Sequence, residues 1–168
     1  MVGRLADLQT MISEKRLGFV MDEVMTGTHE FEPGFGEPGE KFMEFSVVWG
    51  PRHVSEFANP LGGKFMYTDL RGTVTVEGLC QDAACDGSLE LLYFTEGKIR
   101  YTFAFEADGK ECLFIGEKTD IRPWNLHRTH TTCYGTLSER DSGRLVSKSV
   151  MYFRFRTVPA FVASLRLG

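Results

Sequence analysis

The sequence predicts an all-β protein: an up-and-down antiparallel β-barrel of about eight strands with short N- and C-terminal helices, built by residues 1–168 as a single domain. Three observations carry this. Apolar and polar residues alternate through most of the chain, as in "IRYTFAFE", where Ile99, Tyr101, Phe103 and Phe105 share one face and Arg100, Thr102, Ala104 and Glu106 the other. Tight turns such as "TEGK" and "ADGK" join successive runs, and no strand–helix–strand alternation calls for a parallel sheet. The strands are long, roughly 8 to 14 residues, which suits a coiled barrel whose closure removes exposed edges.

The first fifteen residues place Leu5, Leu8, Met11 and Ile12 on one helical face and predict an amphipathic helix. From Phe19 the period becomes two, with Phe19, Met21, Met25 and Phe31 on one face, until "PGFGEPGE" stops the strand. "KFMEFSVVW" continues as a second strand in which Phe42 and Phe45 fall out of phase, so that either both faces are covered or a bulge intervenes. A helical turn is expected between Pro51 and Pro60, over His53 to Ala58. In "KFMYTDLRGTVTVEGL" the residues Met66, Thr68, Leu70, Val74 and Val76 share a face. "SLELLYF" and "IRYTFAFE" read as a hairpin, "ECLFIGEK" returns from an Asp-Gly turn, and "RTHTTCYGTLSE" and "RLVSKSVMYFRFRT" complete the set. "VPAFVASLRLG" predicts a short terminal helix that starts near Pro159 and carries Phe161, Val162 and Leu165 on its apolar side. Gly27, Gly72 and Gly135 lie within strands, where a barrel needs bends.

A chain of 168 residues buries a core without disulfides or metals, and its four cysteines, Cys80, Cys85, Cys112 and Cys133, read as small hydrophobic residues that stay reduced. The formal charge of −4 has no basic block, which excludes the electrostatic footprint of nucleic-acid binding. No stretch approaches the roughly 18 apolar residues of a membrane span and no cleavable leader is evident, so a cytoplasmic location is the expectation.

The segment "RPWNLHRTHTTCYGTL" concentrates polar chemistry, yet His127 and His130 are three apart and point to opposite faces of a strand. With no HExxH and no paired CxxC, neither a metal nor another cofactor is expected. Cys133 and His130 fail as a thiol–base pair on the same geometry. The first strand is more informative. Its alternation carries Glu23 and His29 inward with Met21 and Met25, and a polar group buried without a partner costs about 1–3 kcal/mol. Glu23 should therefore pair with an arginine or with His29, or a few polar groups serve an apolar cavity. His130, Thr132, Tyr134 and Thr136 make a second mixed face. The expected function is binding of an apolar small molecule such as a lipid, fatty acid or sterol-like compound. Phe19, Met21, Met25, Tyr101, Phe103 and Phe105 would form its wall, and Glu23, His29, His130 and Tyr134 its polar lining. Two rivals share the barrel: an isomerase or cyclase using Glu23 or His29 as acid or base, and a filled barrel that docks to an oxidoreductase.

The layout resembles the calycin superfamily, the lipocalin and fatty-acid-binding type of barrel, although Trp49 and Trp124 do not stand in a Gly-x-Trp signature at the first strand. "MTGTHEF", "LRGTVTVEGL", "GKIRYTF" and "GEKTDIRPWNL" are also similar to bacterial domains associated with cholesterol-oxidase-like flavoproteins. That resemblance implies a lipid or sterol context and an oxidoreductase partner, and it assigns no catalytic residue.

Overall fold

The structure, a computed structural model, describes residues 18–121, 132–153 and 166–167. Eight strands follow one another round a closed antiparallel ring: β1 (Phe19–Phe31), β2 (Lys41–Trp49), β3 (Tyr67–Val76), β4 (Cys80–Leu92), β5 (Lys98–Ala107), β6 (Lys110–Lys118), β7 (Thr132–Glu139) and β8 (Leu145–Phe153). Each strand pairs with its chain neighbour, and β8 returns to β1 through the register Met25↔Phe153 to Phe31↔Ser147. The up-and-down barrel predicted from alternation is therefore the fold. Among the described residues the one helix is α1 (Val54–Phe57), a single turn within the predicted His53–Ala58 segment.

The two predicted terminal helices lie outside the described residues, with one exception that corrects the reading of the C-terminus. Arg166 and Leu167 form a two-residue strand, β9, paired antiparallel with Val20 and Phe19, so no helix runs through them. The phase conflict in β2 also has a simple answer. Phe45 points into the core and Phe42 is exposed on the outside, with β2 in uninterrupted register against both neighbours. The fourth strand starts earlier than "SLELLYF" suggests: "CQDAAC" belongs to β4, pairing with β3 across an irregularity at Val74/Val76, and Asp82 takes a positive φ of 48° there. The "ADGK" turn is as predicted, with Asp108 and Gly109 at φ 51° and 74°, the two left-handed positions a type I′ hairpin requires.

Close strand approach explains the glycines. A Cβ on Gly27 would stand 1.9 Å from the Val150 carbonyl oxygen, and one on Gly72 the same distance from that of Ser46, so the ring can coil tightly only where a side chain is missing. Gly135 is needed for a different reason, because its missing side chain leaves room for the ring of Phe114.

The middle of the barrel is filled. Phe103 stacks on Phe114 at 4.7 Å, and Phe45 packs on both at 5.4 and 5.7 Å. Met25, Met43, Leu137 and Met151 are wholly buried in the same cluster. Each such side chain contributes about 1.5–3 kcal/mol by leaving water, so this plug is the main source of stability. It also separates the two barrel mouths. One is closed by short turns and by Phe31 and Phe35. The other, where β1 begins and β2, β4, β6 and β8 end, has room left inside it.

Candidate functional site

At this second mouth a cavity of about 290 Å³ is lined by Met21, Glu23, Trp49, Leu89, Leu91, Tyr93, Ile99, Tyr101, Lys118 and Phe153. Strand alternation delivers these residues from around the ring. β1 presents Met21 and Glu23, β2 ends on Trp49, β4 supplies Leu89 and Leu91, β5 supplies Ile99 and Tyr101, and β6 ends on Lys118.

The floor is a buried ion pair. Lys118 Nζ donates to Glu23 Oε1 at 2.7 Å, and the two side chains are 4% and 5% exposed. The Tyr101 hydroxyl donates to the same carboxylate, 2.9 Å from Oε1 and 3.1 Å from Oε2, and Trp49 Nε1 donates to Oε2 at 3.1 Å. Three donors from three strands thus converge on one carboxylate, which is what keeps a buried charge tolerable. The Lys118 ammonium also lies 5.1 Å from the Tyr101 ring centroid and 5.7 Å from that of Phe153, within cation–π range.

Burial, reinforced by the Glu23 charge, holds the Tyr101 phenol well above its ordinary range, so this hydroxyl stays a donor. The same two causes push Tyr93 up to about 12. Cys133, on the neighbouring inner face of β7, is pushed up to about 12 by burial, against the opposing pull of Lys118. Burial likewise raises Cys85 to about 11. Neither thiol is a nucleophile at neutral pH, and all four cysteines are free.

The sequence-predicted site residues divide sharply. Met21, Glu23 and Tyr101 meet in the cavity. Phe19 sits beside it, edge-on to Trp49 and Phe57 at 6.0 Å. Met25, Phe103 and Phe105 are buried in the central core and do not line the cavity. Tyr134 is corrected outright: it is 57% exposed, because the inward residues of β7 are Cys133, Gly135 and Leu137. His130 lies outside the described residues.

His29 faces inward as predicted but near the other mouth, six residues along β1 from Glu23 and so about 20 Å away at strand rise. The expected Glu23–His29 pairing is therefore replaced by Glu23–Lys118. Nε2 of His29 donates to the Glu77 carbonyl at 3.0 Å, and its ring meets Phe31 edge-on at 4.8 Å. Nδ1 of His29 and the hydroxyls of Ser147 and Ser149 are buried without a hydrogen-bond partner among the described residues.

Burial lowers the His29 pKa, against the opposing effect of the Glu77 carbonyl, so the folded protein holds this ring neutral. A depressed folded pKa means that the unfolded chain takes up the proton first. Stability is then fully present above the unfolded value near 6.5 and is lost as pH falls below it. Urea midpoints measured across that range should decline more for wild type than for His29→Gln. Parallel curves would show that His29 does not contribute.

Lys118, Trp49, Leu89, Leu91, Tyr93, Ile99 and Phe153 line the cavity and were missed as site residues by sequence reasoning. For Lys118 a signal existed: Cys112, Phe114 and Gly116 are buried at alternate positions of β6, and the same period carries Lys118 inward. A second depression of about 730 Å³ lies between the α1 region and β3, but the charged side chains Asp69, Arg71 and Asp86 along it are exposed. It lacks the buried polar convergence of the Glu23 mouth.

No family model, no curated protein and no solved structure matches this chain.

Proposed function

We propose that this protein binds a small apolar molecule in the Glu23 mouth of the barrel. One observation carries the reading: an apolar-walled cavity of about 290 Å³ whose charged lining, among the described residues, is a buried, mutually neutralising pair. A few fixed polar groups in an otherwise apolar concavity are the usual composition of a small-molecule site, and this volume stands at the small end of such sites, about 300–1,000 Å³. The central plug of Phe45, Phe103 and Phe114 argues for a compact or short-chain ligand, smaller than one filling the whole barrel.

The reading fits the calycin-like character of an eight-strand meander, and Lys118 falls within "GEKTDIRPWNL", one of the segments similar to the flavoprotein-associated domains. Catalysis on the bound molecule is a second reading, favoured by the presence of a carboxylate and an amine at the cavity floor. His29 has no part in it, being at the far end.

Native mass spectrometry of freshly purified protein, beside the denatured mass and an organic extract, tests the proposal. A discrete extra mass that reappears in the extract is the expected result. A bare chain that also takes up nothing when exposed to short-chain alcohols, ketones and fatty acids would overturn it and send the search to the outer surface.

A further inference from the structure

We infer, on the reading of this mouth as a ligand pocket, that its ligand is an uncharged molecule with a hydrogen-bond-accepting oxygen, a ketone, aldehyde, ester or alcohol on a short hydrocarbon skeleton, and that carboxylates are disfavoured. The charge balance of the cavity carries this. Among the described residues its lining holds one anion and one cation, Glu23 and Lys118, in contact at 2.7 Å and almost wholly buried. The site is therefore neutral before any ligand arrives. A carboxylate entering it would set a second anion beside Glu23 with only one cation to share, in surroundings where an unbalanced charge is costly. Barrels that hold a free fatty acid by its head need a cation left over, and here the cation is already committed.

Hydrogen-bonding capacity points the same way. Glu23 receives Lys118, Tyr101 and Trp49 on its two oxygens. Trp49 and Tyr101 have each a single polar proton, and each gives it to Glu23, so neither has another for a ligand. Lys118 has three. Among the described residues Glu23 is the one oxygen it donates to, and its nitrogen otherwise lies over the rings of Tyr101 and Phe153 at the cavity wall. A ligand oxygen that accepts from Lys118 would exchange a weak ring contact for a charge-assisted hydrogen bond without disturbing the carboxylate. The apolar remainder would lie against Met21, Leu89, Leu91 and Ile99.

The test is calorimetric titration of the full chain, near neutral pH, with nonanone, nonanol and nonanoate, three probes of matched chain length. The neutral probes should bind at least about tenfold more tightly than nonanoate, a difference of about 1.4 kcal/mol. Nonanoate binding equally or better would overturn the ligand class while leaving the pocket intact. No binding of any of the three would overturn the pocket reading itself. In Glu23→Gln the cation is left uncompensated, and the preference should move toward nonanoate by at least about tenfold. An unchanged ratio in a folded variant would overturn the charge argument, and should that variant not fold, the wild-type comparison decides alone.

Discussion

Lys118→Met is expected to lower the unfolding free energy by about 3–5 kcal/mol, the cost of leaving one member of a buried ion pair without the other. The effect should be large because Glu23 is 5% exposed and cannot turn to water, and because losing the 2.7 Å contact leaves the carboxylate, among the described residues, with the neutral donors Tyr101 and Trp49. The double variant Glu23→Leu with Lys118→Met should recover much of the loss, since apolar replacement of a buried pair is often close to neutral. Urea denaturation of the single and double variants measures both quantities. A single variant as stable as wild type would mean that the pair is not desolvated as described, and the case for a neutral pocket would go with it.

Phe45→Ala is the second large effect, expected to cost about 3–5 kcal/mol through lost burial and the void left behind. Phe45 touches Phe103, Phe114 and Tyr101 at 5.4 to 5.7 Å, so it joins the aromatic plug to the wall of the cavity. Its removal therefore has a second consequence: the cavity should deepen into the barrel and accept longer chains. Chemical denaturation reads the first, and a chain-length series of alcohols in calorimetry the second. Unchanged length preference together with the stability loss would mean that the neighbouring rings collapse into the space.

What was legible in the sequence follows from how strongly each strand marks its faces. β5 carries Ile99, Tyr101, Phe103 and Phe105 on one face, and all four are buried. β1 was equally clear, because large apolar residues fixed the phase and Glu23 and His29 followed from it. β7 was misread because its inward residues are Cys133, Gly135 and Leu137, of which only the last is strongly apolar, while the outward Tyr134 looks like a core residue. Gly135 is inward because Phe114 from the next strand takes the space its side chain would have used, a relation no local pattern contains. The polar site was half visible for a related reason. Glu23 announced that it needed a partner, but Lys118 at a strand end looks like an ordinary surface lysine, and only three-dimensional closure brings residues 95 apart into contact. The pairing with His29 failed on length alone, since six residues of extended chain span the barrel.

The order of the strands bears on how the molecule comes to be competent. Seven of the eight ladders of the ring join consecutive strands, so a meander can zip up hairpin by hairpin with little loop entropy lost at each step. The ladder between β1 and β8 is the exception, joining Met25 to Phe153 across most of the chain. Glu23 lies just beyond that seam, and its partners Tyr101 and Lys118 come from the opposite run of the meander. An open ribbon would hold every hairpin yet lack the Glu23 cavity, which needs the long-range β1–β8 pairing. Any molecule that occupies the cavity would thereby act as a latch on the closed ring, raising the population of the complete barrel by mass action.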